Sequence, residues 1–245
     1  MKAMILAAGL GTRLRPLTDT VPKPLLPVGG ASLIVWNLLL LRRHGVREVL
    51  INLHHLGHLI EQELGDGAQF GVRITYSREP VLLGTGGGLK HAEPFFSGEP
   101  FLVLNGDTLL ELDLGVPIAL HARRGALATM VVREDPDVER WGVVEVDANE
   151  RVVRINGRGC SKAGAGRFMF AGVQVVHPRL LRDVPAGRQS SIIEAYVAGL
   201  ARGELILGYR MNGYWSDVGT PERYAQVQRD AEAGLICLAA RQAAG

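Results

Sequence analysis

Short apolar runs alternate with helix-patterned stretches through the first 133 residues of this 245-residue chain, and that alternation leaves few folds open. Lys2–Leu6, Val46–Leu53, Val72–Ser77, Phe101–Leu104 and Leu127–Arg133 read as strands. Between them, Ser32–His44, Leu56–Leu64, Thr85–Phe96 and Asp113–Arg124 read as helices, the first with Ser32 as N-cap and Gly45 as stop. Nearly continuous apolar strands in strand–helix–strand succession predict an α/β fold. Its sheet is mixed, mostly parallel and sandwiched by helices. After Glu134 the pattern turns β-rich. Trp141–Val146 and Arg151–Ile155 read as short strands joined by a turn at Asp147–Glu150, and 157–166 as a glycine-rich mobile loop. Then follow a strand at Arg167–Val176, a helix at Ser190–Arg202, strands at Leu205–Tyr209 and Tyr214–Ser216, and a closing helix at Pro221–Ala233. No repeat or linker divides 1–233, which reads as a single domain with 234–245 as a frayed tail.

The bulk numbers exclude several classes. An apolar fraction of 47% fills a sizeable core, and a net charge of +2 with interleaved acids and bases argues against a nucleic-acid partner. Cys160 and Cys237 make neither a disulfide framework nor a metal-ligand spacing. No apolar run approaches the roughly 18 residues of a membrane span, and the N-terminus reads directly as a strand rather than a leader. A cytoplasmic protein without membrane contact is expected.

The most telling segment is Leu6-Ala-Ala-Gly-Leu-Gly-Thr-Arg-Leu-Arg-Pro-Leu-Thr18, with Pro22-Lys-Pro24 behind it. Gly9 and Gly11 follow a buried strand and leave backbone N–H groups uncovered for an anion. Thr12 adds a hydroxyl, Arg13 a planar fork of donors suited to phosphate, and Lys23 a cation held between two prolines. The third glycine of the dinucleotide fingerprint is missing, because Leu14 stands there, and there is no P-loop. Asp107 lies just past a buried strand, at the edge where α/β sheets bind ligands, and Asp217 also follows a short strand. Either aspartate fits an Mg²⁺ ligand; equally, Asp107 fits a turn and Asp217 a helix-dipole partner. Gly84-Thr-Gly-Gly-Gly88 reads either as backbone laid against a base or as a closely packed helix start. His54 and His55 have no third ligand at useful spacing and read as loop or substrate-edge packing.

Gly-x-Gly-Thr-Arg-Leu-x-Pro-Leu-Thr with the following Lys-Pro closely resembles the signature of the sugar-1-phosphate nucleotidyltransferases, the nucleoside diphosphate sugar pyrophosphorylases. The resemblance runs from Lys2 to about Arg229. It implies the Rossmann-like nucleotide-diphospho-sugar transferase fold, with 1–133 as nucleotide-binding half and 134–220 as sugar-binding half. It also implies an enzyme that joins NTP and sugar 1-phosphate into NDP-sugar, releasing pyrophosphate, in nucleotide-sugar, cell-wall or polysaccharide synthesis. On that footing Arg13 and Lys23 are catalytic. Leu6, Ala8, Gly9, Gly11, Thr12, Arg13, Gly84, Thr85 and Gly86 contact the nucleotide, and Asp107 and Asp217 hold Mg²⁺. Gly142, in Trp141-Gly-Val-Val, and Ala171 and Gly172 contact the sugar. Many relatives carry Glu-Lys-Pro after the hairpin, where this chain has Ile155-Asn-Gly-Arg158, so Arg158 and Lys162 are rival sources of a cation and Glu194 reads as a solvated helix residue. Leu83-Gly-Thr-Gly-Gly resembles the mannose-1-phosphate guanylyltransferases, which makes GTP and mannose 1-phosphate the first expectation. Thr85-Gly-Gly-Gly resembles the N-acetylmuramate-1-phosphate uridylyltransferases, which keeps UTP as the alternative. A catalytically silent nucleotide-sugar sensor is the alternative of another class. No second activity is expected. Oligomeric state stays open between monomer and homodimer, with Leu235–Ala240 as a candidate apolar contact.

Overall fold

The computed structural model describes residues 1–160 and 166–236. Two compact units divide the chain: unit 1 takes 1–82, 104–112 and the chain from 213 on, and unit 2 takes 83–103 and 113–212. The chain thus passes between the units several times, and the chain-order halves 1–133 and 134–220 do not coincide with them.

Unit 1 opens with β1 (Ala3–Leu6), followed by short 3₁₀ turns at Thr12–Leu14, Leu17–Asp19 and Lys23–Leu25. Next come the two-residue strands β2 (Pro27–Val28) and β3 (Ala31–Ser32), then α1 (Leu33–Arg43), β4 (Glu48–Leu53), α2 (Gly57–Leu64) and β5 (Arg73–Arg78). β1 pairs in parallel with β4, and β4 with β5. Their apolar residues are buried except for Leu6 and Tyr76, which are partly exposed. Ser32 is the N-cap of α1 by position, but its hydroxyl makes no cap bond and is buried without a partner.

In unit 2, α3 (Gly84–Ala92) starts one residue before the expected helix and ends four residues earlier. Pro94 lacks the N–H that would continue it, and Glu93–Phe96 closes as a 3₁₀ turn. β6 (Phe101–Asn105) then begins in unit 2 and ends in unit 1, where β7 (Thr108–Leu110) follows. Sequence reading passed over β7, because three residues carry no alternation. Unit 2 continues with α4 (Gly115–Arg124), β8 (Ala128–Arg133), α5 (Val138–Trp141), β9 (Val143–Val146), β10 (Val152–Ile155) and β11 (Arg158–Gly159). The expected strand Trp141–Val146 is therefore corrected: Trp141 closes a one-turn helix, and Gly142, at φ +88°, makes the turn into β9.

β12 (Gly166–Val176), α6 (Ile192–Ala201) and β13 (Ile206–Arg210) complete unit 2. Here the sheet is mixed. β12 runs antiparallel to both β8 and β9, β9 to β10 and β10 to β11, while β13 is parallel to β8. Unit 1 then receives β14 (Trp215–Asp217), antiparallel to β7, and α7 (Pro221–Glu232) with Pro221 in its first turn. α7, through Val227, and Val218 just after β14 join a core with Leu14, Leu26, Leu33 and Leu109. The expected α/β class holds, with a β-rich part in unit 2. No helix among the described residues is long and apolar enough to cross a membrane. Lys162, and all of Leu235–Ala240 after Ile236, lie outside the described residues.

Candidate active site

In unit 1, three segments converge. The Lys23 Nζ donates to Asp107 Oδ2 at 2.5 Å, with the lysine side chain only 9% exposed. Pro22 and Pro24 are both buried, so the ammonium is presented from a fixed root. Asp217 ends β14 directly opposite Thr108 of β7, and Val218 N–H donates to the Asp107 carbonyl at 3.0 Å. The two aspartates, 110 positions apart in sequence, are thereby neighbours on one two-stranded ladder. A Cβ on Gly219 would lie 2.2 Å from Asp217 Oδ1 and 3.1 Å from Arg13 Nη2, so Arg13 reaches the same spot. Arg13 makes no ion pair among the described residues.

The glycine loop is open where an anion would need it. A Cβ on Gly9 would meet nothing within 4 Å, and the Gly9, Leu10 and Gly11 amides donate no hydrogen bond among the described residues. Gly11 is different: its φ is +63° and a Cβ would press on Thr18 at 3.0 Å. The Thr18 hydroxyl in turn donates to the Gly11 carbonyl at 2.8 Å. Thr12 is exposed, Ala8 is buried, and the Leu6 carbonyl is occupied by Gly106 N–H at 2.9 Å.

Three residues that sequence reading missed brace this edge. Ala7 N–H donates to Asn52 Oδ1, whose Nδ2 donates to Glu79 Oε1 at 2.7 Å. Both Asn52 and Glu79 are buried. The available signal was Asn52 itself, an amide near the end of a strand otherwise apolar from Val49 on. Arg223 is the third, its Nη1 2.9 Å from Asp217 Oδ1. His54 Nδ1 lies 2.7 Å from the Glu79 carbonyl and His55 Nε2 3.3 Å from the Thr18 carbonyl, so both histidines brace loops.

Unit 2 holds the remaining candidates. Gly84, at φ +70°, would place a Cβ 2.7 Å from the Ser190 carbonyl, and Gly87 one 2.5 Å from the Arg188 carbonyl. Gly86 N–H donates to that Ser190 carbonyl, and the Thr85 hydroxyl accepts from Ile192 N–H. These glycines admit the 188–191 backbone, and the Gly86 amide is already spent. Gly142 would meet the Asn156 amide at 2.8 Å. Ala171 and Gly172 sit at the register shift of β12, where Gly172 has φ +84°. The Asn156-Gly157 pair has positive φ at both residues and turns β10 into β11, as an Asn-Gly hairpin does. Arg158 grips Glu194 bidentately at 2.7 and 2.8 Å, which holds the Glu194 carboxyl below its usual range and raises the guanidinium.

Residues 2–234 match the nucleotidyl transferase family. The chain belongs to that family. The resemblance carried by the glycine loop is thus borne out. An N-acetylmuramate alpha-1-phosphate uridylyltransferase of Neisseria meningitidis is 39% identical, over 93% of this chain and 97% of that protein. A UTP–glucose-1-phosphate uridylyltransferase of Synechocystis is 34% identical over 94% of this chain, and a mannose-1-phosphate guanylyltransferase of Mycobacterium tuberculosis 32% identical over 95%. This chain spans 63% and 65% of those two proteins' length. Among solved structures, Yersinia pseudotuberculosis HddC complexed with GMP-PN superposes at a TM-score of 0.76 with 25% identity, covering 94% of this chain and 98% of that one.

The family typically uses a divalent metal. The residues of this chain fit one. Asp107, just before β7, and Asp217, at the end of β14, are hard oxygen donors; each has one oxygen engaged by a cation, and the second oxygen of Asp107 takes only a long 3.5 Å hydrogen bond from the Thr108 hydroxyl. No cluster of three or more metal-ligating side chains occurs among the described residues.

Proposed function

We propose that the chain transfers a nucleotidyl group from an NTP to a sugar 1-phosphate. A phosphate oxygen of the sugar bonds to the α-phosphorus, the bond to the β-phosphate oxygen breaks, and pyrophosphate leaves with that electron pair. The observation that carries the reading is the convergence of Arg13, Lys23, Asp107 and Asp217 in unit 1. The Gly9–Gly11 amides and Arg13 hold the departing phosphates. Lys23, released from Asp107 toward the incoming anions, holds the two reacting phosphates together. Reactions of this type depend on positioning and charge neutralisation. Mg²⁺ on Asp107 and Asp217 would supply positive charge against the α-phosphate. Ala8 of unit 1 is assigned to the nucleotide; within unit 2, Gly84–Gly86 are assigned to the base and Gly142, Ala171 and Gly172 to the sugar.

UTP with N-acetylmuramate 1-phosphate is supported by the 39% identity and by Thr85-Gly-Gly-Gly88; GTP with mannose 1-phosphate is supported by Leu83-Gly-Thr-Gly-Gly and the 32% relative. A cytoplasmic location belongs to this proposal. The test is pyrophosphate release by the purified protein with four NTPs crossed with mannose, glucose and N-acetylated sugar 1-phosphates. Metal-dependent release with one pair is expected. Silence across the panel would favour the nucleotide-sugar sensor.

A further inference from the structure

One oxygen, Asp217 Oδ1, is confined from two sides. Arg223 Nη1 donates to it at 2.9 Å, and the missing side chain of Gly219 makes the room it occupies, since a Cβ there would fall 2.2 Å away. Gly219 is buried and has an ordinary φ, so its need for glycine comes from this contact and not from backbone strain. The arginine is rigidly rooted. Thr220 caps α7 by accepting from Arg223 N–H, and Tyr224 and Gln228 both donate to the Pro27 carbonyl, at 2.9 and 2.8 Å.

Arg13 Nη2 lies beside the same Gly219 position, 3.1 Å from where a Cβ would be. A free carboxylate next to a free guanidinium would close on it. Resting on the transferase reading above, we propose that Arg223 is a positioning residue. It occupies Oδ1 of Asp217, which leaves Arg13 to the substrate phosphates and presents the second Asp217 oxygen to the divalent cation. Gly219 makes that arrangement sterically possible. Outer partners of metal-binding carboxylates orient them, and their loss typically costs about 10- to 100-fold in metal affinity or activity.

The test compares wild type with Arg223→Met, Arg223→Lys and Gly219→Ala. Mn²⁺ affinity is read by electron paramagnetic resonance with a non-hydrolysable NTP present, alongside the Mg²⁺ dependence of turnover and a thermal melt. Arg223→Met is expected to weaken Mn²⁺ binding about 10-fold or more. It should also raise the Mg²⁺ concentration needed for half-maximal rate, and Arg223→Lys should recover part of both. Gly219→Ala should reproduce the Mn²⁺ defect with Arg223 intact, which keeps the test decisive if one variant folds poorly. Unchanged or tighter Mn²⁺ binding in Arg223→Met would overturn the proposal. Wild-type silence on every NTP and sugar pair would sink the transferase reading, while the Mn²⁺ shift would still judge the positioning role.

Discussion

Unit 1 places its candidate chemistry in side chains, whereas unit 2 places it in the absence of side chains. In the first, Lys23 meets Asp107, Arg223 meets Asp217, and Arg13 stands ready beside them. In the second, Gly84, Gly86, Gly87 and Gly142 let backbone come close to backbone or to an amide, and Gly172 takes a positive φ. Charged groups announce their chemistry by residue type. A glycine announces only that something is near, and in unit 2 that something is first of all the protein itself.

The largest test of this contrast is Lys23→Ala. Removing a preorganised charge-stabilising donor lowers turnover by about 10²-fold or more. Asp107 is one-third exposed and stays hydrated without its partner, so the loss should appear in rate and not in the thermal melt. A near-wild-type rate would dissolve the distinction between the units. Gly84→Ala is the counterpart in unit 2. An alanine there must hold positive φ and overlap the Ser190 carbonyl, which together cost about 2–4 kcal/mol. The urea midpoint should fall. Unchanged stability with lost NTP use would show instead that the glycine serves the base.

A smaller effect lies in His121, which is buried beside the Thr129 hydroxyl. Burial pushes its pKa down to about 4, with His177 adding to the shift. The unfolded chain therefore binds more protons between pH 6.5 and 4. Its contribution to stability is complete above pH 6.5 and is lost as pH falls through that window. His121→Gln should flatten the loss, measured as urea midpoints at pH 7 and 4.5; an equally steep fall in the variant would move the cause elsewhere.

The same contrast decides how much was readable beforehand. The buried strands of unit 1 show in Met4-Ile5-Leu6 and in Val49–Leu53, and the helices between them follow from their apolar periodicity, since Ser32 makes no cap bond and α2 has no side-chain cap. Arg13 and Lys23 stand out by residue type beside a glycine turn, whereas Asp107 and Asp217 read equally as turn and helix-dipole residues until the family resemblance singles them out. Arg223 does not stand out, because an arginine six positions after an aspartate in a helix start looks like any solvated residue until β14 and α7 are folded together. In unit 2 the Asn156-Gly157 dipeptide was a legible hairpin signal, yet it read as a departure from a sugar-binding motif. The glycines of α3 resisted reading for another reason: their neighbours, Arg188–Ser191, are a hundred residues away in sequence.

The least disruptive substitution asks the most of unit 2. Arg158 ends the stretch Ile155–Arg158 that this chain has in place of Glu-Lys-Pro, and it is one of two rival cations for the sugar phosphate. The structure gives its guanidinium another partner, since two of its nitrogens already donate to Glu194. Both side chains are largely exposed, so solvent and salt screen the pair and its contribution to stability is slight. Arg158→Ala should leave the thermal melt in place and the KM for sugar 1-phosphate close to wild type. A KM raised many-fold at constant kcat would mean that the ion pair opens for substrate. Side-chain charge would then act in unit 2 in the way proposed for unit 1.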